Sequence, residues 1–196
     1  MNDYKESISA YLQKEQEVLQ SLDVESINAA LNLLEETFEN ENTIYIFGNG
    51  GSSATASHFQ NDFNKGISEY TRKKFRFLCL NDNVATVMAI ANDIGFDDIF
   101  RFQLEGRLEP GDIVIAISGS GNSTNVLRGV EYARQCGNQV IGLTGLSGGK
   151  LMQLSDVNLH VPVMSMQITE DIHMVFDHLM MSVFYDKMCG IDHLKG

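Results

Sequence analysis

Five short runs constrain the fold of this chain more than anything else in it: TIYIF (43–47), RFLCL (76–80), DIVIAIS (112–118), QVIGLT (139–144) and VNLHVPV (157–163). Each is rich in β-branched or aromatic residues and apolar at consecutive positions, so both of its faces require burial. Between them lie helical patterns such as NVATVMAIAND (83–93) and STNVLRGVEYARQCG (123–137), the second closed by a glycine suited to a helix C-terminus. Doubly buried strands alternating with helices predict an α/β fold, a doubly wound five-stranded parallel sheet flanked by helices. The two prolines, Pro110 and Pro162, fall at or near strand edges. A last apolar segment, from about Thr169 to Met188, reads as a long closing helix.

The 196 residues fit a single domain, 1–196, with a helical extension at 1–42 and the α/β core at 43–196. In the extension Ile27, Ala30, Leu31, Leu34 and Phe38 form one stripe, with Asp23 as an N-cap, and Ile8, Tyr11, Leu12 and Leu19 suggest a preceding helix. This helical pair needs a surface to lie against, either a neighbouring subunit or the chain's own sheet. Fourteen basic against 26 acidic residues give a net charge of −12. Such a surface repels nucleic acid and anionic lipid, so any phosphate must be held by local backbone dipoles. Three scattered cysteines without a CxxC pair, no signal-peptide pattern in MNDYKES and no apolar run of membrane-spanning length lead us to expect a soluble cytoplasmic protein.

In a doubly wound sheet of order 2-1-3-4-5, the turns after the first and third strands face each other at the switch point, where ligands bind. Here those turns are GNGGSS (48–53) and SGSGNST (118–124). Glycine lets the backbone approach a ligand, serine and asparagine add donors without bulk, and each following helix N-terminus adds partial positive charge. Either turn alone could be only a tight corner, but two at one switch point make a phosphate cradle that uses no lysine. Nucleotide patterns fit less well. Gly48-x-Gly50-x-x-Ser53 nearly matches a dinucleotide fingerprint, but the acidic residue after the second strand, Asp82, comes too late. LTGLSGGK (143–150) has Thr144 where a P-loop needs its first glycine and Leu151 after the lysine.

His58 and Asp62, four residues apart on the helix leaving the first turn, project from one face. The last helix offers Glu170, Asp171, His173, Asp177 and His178, of which Glu170 and His178 lie about 80° apart around its axis. Two histidines and two carboxylates suit a divalent ion such as zinc, whereas the plainer reading of His58–Asp62 is a solvated ion pair. Aldose–ketose isomerisation would use both, since it needs a base at carbon and an acid/base at oxygen. His173 and His178, five apart, cannot both face one site, and His160 and His193 read as structural.

GNGGSSATASHF, ANDIGFDDIF, SGSGNSTNVL, LTGLSGGK and TEDIHMVFDH resemble, in order and spacing over nearly the whole chain, the sugar-isomerase (SIS) family. Within it they resemble the members that convert sedoheptulose 7-phosphate to D-glycero-D-manno-heptose 7-phosphate. The resemblance implies the SIS fold and a homotetramer, with active sites at subunit interfaces and the 1–42 helices serving oligomerisation. It implies a sugar phosphate held by Asn49, Gly50, Gly51 and Ser52 with Ser118, Gly119, Ser120 and Ser123, and contacted by Asn92, Asp93, Asp62 and Glu170. It also implies zinc on His58, Asp62, Glu170 and His178, with Asp62 and His178 as the acid/base pair. The chain departs from the family pattern at Asp62 (usually Glu), Glu170 (usually Gln), Gly66 (usually Arg) and Gly119 (usually Thr). Asp62 is one methylene, about 1.5 Å, shorter than glutamate, a misplacement that can cost ~100-fold in rate, and a missing arginine points to a different phosphorylated sugar. The rival reading is a non-catalytic SIS protein that binds a sugar phosphate as a sensor or assembly factor.

Overall fold

In the computed structural model, which describes residues 2–192, each of the five runs forms a strand: β1 (Ile44–Gly48), β2 (Phe77–Cys79), β3 (Ile113–Ser118), β4 (Gln139–Thr144) and β5 (Val157–His160). All pair in parallel in the order β2-β1-β3-β4-β5. The register sets Ile44 beside both Phe77 and Ile113, so the apolar runs stack side by side.

Alternation along the strands divides the core in two. Ile44, Ile46, Ile113, Ile115 and Ile117 point to the face covered by α2 (Val24–Glu39), α3 (Gly51–Asn61) and α8 (Met166–Cys189). Tyr45, Phe47, Val114 and Ala116 point to the opposite face, under α4 (Val84–Asp93), α5 (Arg101–Leu104), α6 (Thr124–Gln135) and α7 (Gly149–Leu154). Thus α3 leaves β1 on one face while α6 leaves β3 on the other. That divergence opens the switch-point crevice between the two Ser/Gly turns.

The helical extension forms α1 (Lys5–Gln20) and α2. Asp23 caps α2, its carboxylate accepting from the Glu25 N–H at 3.1 Å. Ile27, Ala30, Leu34 and Phe38 are buried against the chain's own sheet layer, joined by Leu33, while Leu31 is half-buried. The α1 set behaves differently: Ile8 and Leu12 are 56% and 59% exposed, Tyr11 and Leu19 are also exposed, and only Val18 is buried. The Tyr11 hydroxyl donates to Asp171 of α8, a contact between α1 and the core. The closing helix is longer than expected and ends at Gly190 in the left-handed conformation, φ 66°. Among the described residues no helix is long and apolar enough to cross a membrane. His193 lies outside the described residues.

Candidate functional site

The two turns do meet. Gly48 closes β1 so near β3 that a Cβ on it would lie 2.9 Å from the Ile117 carbonyl oxygen. Asn81 holds Gly48 from the other side, accepting its N–H at 3.2 Å and donating to its carbonyl at 2.9 Å. Asn49 in the first turn and Asn125 at the start of α6 exchange reciprocal amide hydrogen bonds of 2.8 and 2.9 Å. Asn125 is 2% exposed and was not singled out from the sequence, because its partner lies 76 residues away. Gly121, with φ 65°, places its carbonyl to accept from the Leu151 N–H at 2.9 Å, tying the second turn to α7. Between the turns lies a cavity of about 180 Å³ lined by Asn49, Ser52, Ser118, Ser120, Ser123 and Glu170.

Of the other residues expected to hold a sugar phosphate, Gly119 also lines this cavity, beside Met166, which the sequence did not point to. A Cβ on Gly119 would overlap the Met166 sulfur, so methionine fills the space of the larger residue seen in the family pattern. Gly50 adopts φ 56°, and Gly51 packs beneath Glu170, whose Oε2 would be 2.6 Å from a Cβ there. Asn92 and Asp93 sit elsewhere, at the exposed end of α4, paired with each other at 2.7 Å and not part of the cavity lining.

Helix α3 links the cavity to a second group. It starts in the first turn and ends in a π-turn, Asp62–Gly66, that packs beside α8. His58 Nε2 lies 3.2 Å from His178 Nε2 and 3.4 Å from Asp62 Oδ2, and His178 Nε2 is 3.8 Å from the same oxygen. Four zinc donors at roughly 2.0–2.1 Å stand about 3.3 Å from one another, so these three atoms are spaced as neighbours on one ion's coordination shell. Asp62 is 8% exposed, and its other oxygen accepts from Asn61 at 3.0 Å. The residues present therefore fit a divalent ion.

The grouping differs from the expected one at one position. His58, Asp62, Asp177 and His178 bring ligand atoms within 4.8 Å of one another, and Glu170 is outside that set. Glu170 and His178 are eight residues, about 12 Å, apart along α8, and Glu170 reaches over Gly51 towards the serine turns. Asp177 is fully buried, and neither of its oxygens has a hydrogen-bond partner. Burial, and then the charge of Asp62, push its carboxyl up to about 8. His173, one turn earlier and 1% exposed, also lacks partners at both ring nitrogens. Burial lowers it to about 4. At Gly66 a Cβ would meet Met181 Cε at 2.5 Å and the Tyr185 hydroxyl at 3.1 Å, so the space of the absent arginine is already filled.

A doubly wound sheet with two serine/glycine turns over its switch point, and an imidazole–carboxylate cluster one helix away, defines a binding fold for small phosphorylated ligands. The chain belongs to the SIS domain family, which it matches over residues 3–145. It is 37% identical over 164 residues to the phosphoheptose isomerase of Aliarcobacter butzleri, covering 84% of this chain and 86% of that protein. It is 35% identical over 177 residues to the phosphoheptose isomerase of Helicobacter pylori, covering 90% and 88%. The solved phosphoheptose isomerase of Neisseria gonorrhoeae superposes with a TM-score of 0.85 at 30% identity, over 93% of this chain and 98% of that one.

Proposed function

We infer that this chain is an aldose–ketose isomerase of the phosphoheptose isomerase type, converting sedoheptulose 7-phosphate to D-glycero-D-manno-heptose 7-phosphate. The observation that carries the reading is the path of α3, which begins in the phosphate-holding turn and delivers His58 and Asp62 to His178. With the phosphate held by Ser52, Ser118, Ser120 and Ser123 and by backbone N–H groups, the sugar's reacting end extends towards Asp62. The Asp62 carboxylate takes a proton from C1 of the ketose, the electron pair forms the C1=C2 bond of a cis-enediol, and the same proton returns to C2. His178 gives a proton to O2 and accepts one from O1, so that C1 becomes the aldehyde. A divalent ion held by His58, Asp62 and His178, zinc by its donor set, would polarise the carbonyl. Glu170, inside the cavity, is placed to receive sugar hydroxyl donors rather than phosphate.

A homotetramer with these sites at its interfaces is part of the same proposal. Its supports are the exposed apolar face of α1 and an apolar groove of about 370 Å³ beside His178, lined by Val175, Leu179 and Val183. A cytoplasmic setting fits the free cysteines Cys79, Cys136 and Cys189. The test of catalysis is Asp62→Asn, which should keep sugar-phosphate affinity while lowering turnover ~100- to 10,000-fold. Assayed for aldose with and without zinc, an Asn variant that turns over like the parent would remove Asp62 from the chemistry. One that binds but never isomerises any ketose phosphate, matched by a parent equally inactive, would favour a sensor.

A further inference from the structure

We propose that Asp177 is a direct ligand of the divalent ion, completing a two-histidine, two-aspartate site with His58, Asp62 and His178 in place of Glu170. The inference rests on reading this cluster as a metal centre and adds the ligand that family resemblance does not supply. Its starting point is an anomaly. Asp177 is 0% exposed, yet both carboxylate oxygens lack a donor. Buried polar groups are almost always hydrogen-bonded, and a buried unpaired carboxylate is among the costliest groups a fold can hold. Packing alone does not account for it, since an apolar residue would fill the same volume without that penalty.

Geometry supplies the missing partner. An Asp177 oxygen, an Asp62 oxygen and one nitrogen each from His58 and His178 all lie within 4.8 Å of one another. Asp177 reaches the group from the buried side, whereas His178, the next residue, reaches it from the exposed side, with its side chain 57% accessible. The two helices therefore enclose a point between them. Without a cation, two carboxylates at this separation repel. With one divalent ion their two negative charges are balanced, which leaves a neutral centre suited to burial. Glu170 is spoken for elsewhere, over Gly51 and in the serine-lined cavity.

The test is zinc affinity of the full chain, measured by competition with a chromophoric chelator, alongside the visible spectrum of the cobalt(II)-loaded protein. Four proteins are compared: parent, Asp177→Asn, Glu170→Ala and His58→Ala. Even residues behind a ligand change metal affinity 10–100-fold, so removing a ligand charge should weaken zinc by about 100-fold or more in Asp177→Asn. The cobalt spectrum should change with it, while Glu170→Ala stays within about threefold of the parent. Melting without metal checks folding: Asp177→Asn should melt no lower than the parent, because an amide of the same shape replaces a buried carboxyl that has no hydrogen-bond partner. Asp177→Asn binding as tightly as the parent, with His58→Ala binding nothing, would overturn the role of Asp177 and keep the metal centre. A parent that binds neither zinc nor cobalt would overturn the centre itself, and a loss confined to Glu170→Ala would return the ligand place to Glu170.

Discussion

Replacing His173 with leucine should flatten the acid side of the protein's stability curve. The imidazole is 1% exposed, packed with its ring centroid 6.4 Å from that of Phe176, and without a hydrogen-bond partner at either nitrogen. Burial lowers its pKa from 6.5 to about 4, and a facing backbone group of Thr144 offsets this only in part, with His160 pushing the same way as burial. The sign follows from proton counting. Above pH 6.5 neither folded nor unfolded chain holds a proton on this ring, and the contribution to stability is full. As pH falls from 6.5 towards 4 only the unfolded chain binds one, so the native state loses ground. At roughly 1.4 kcal/mol for each pH unit, the loss is about 2.5 kcal/mol by pH 4.5. Asp177, whose carboxyl is raised, has the opposite slope, but it is present in both proteins and drops out of the difference. Urea unfolding followed by circular dichroism, with a chelator present, from pH 7.5 to 4.5 reads that difference. Leucine should also be at least as stable at pH 7.5, since it removes a buried ring with an unsatisfied nitrogen, worth about 1–3 kcal/mol. Parallel curves for the two proteins would refute the assignment of a neutral, buried His173.

Two further substitutions test the frame of the site. Gly121→Ala forces a side chain into φ 65° and onto the Gly148 carbonyl. The conformation alone costs roughly 1–2 kcal/mol, so melting should fall by about 2–8 °C and KM for the sugar phosphate should rise at least ~10-fold, whereas unchanged values would detach this turn from phosphate binding. Leu12→Lys places a charge on the exposed face of α1; light scattering should show a smaller particle than the parent, and an unchanged mass would take that face out of the assembly.

The strand runs, the two small-residue turns and the order of the sheet were legible in the sequence because they depend on local chemistry. Consecutive apolar residues demand burial on both faces, and a turn of Gly, Ser and Asn between strand and helix leaves few alternatives. The α2 stripe and its Asp23 cap were legible for the same reason. The partners of these features were decided only by the tertiary structure. Helical spacing placed Glu170 and His178 about 80° and ~12 Å apart on one helix and made them look like companions, but it carried no information on which of them would meet His58 and Asp62 of α3. The packing of α3 against α8 set His58 and Asp62 beside Asp177 and His178, and left Glu170 over Gly51. Asp177 stands among the donors of the last helix in the sequence, beside His178, but only the fold shows that its buried carboxylate lies with His58 and Asp62. Likewise the α1 periodicity promised a buried stripe that the chain's own sheet does not cover. A sequence states how each element is patterned, whereas only packing states which two elements share a surface, and a site made of side chains from separate helices exists only at that second level.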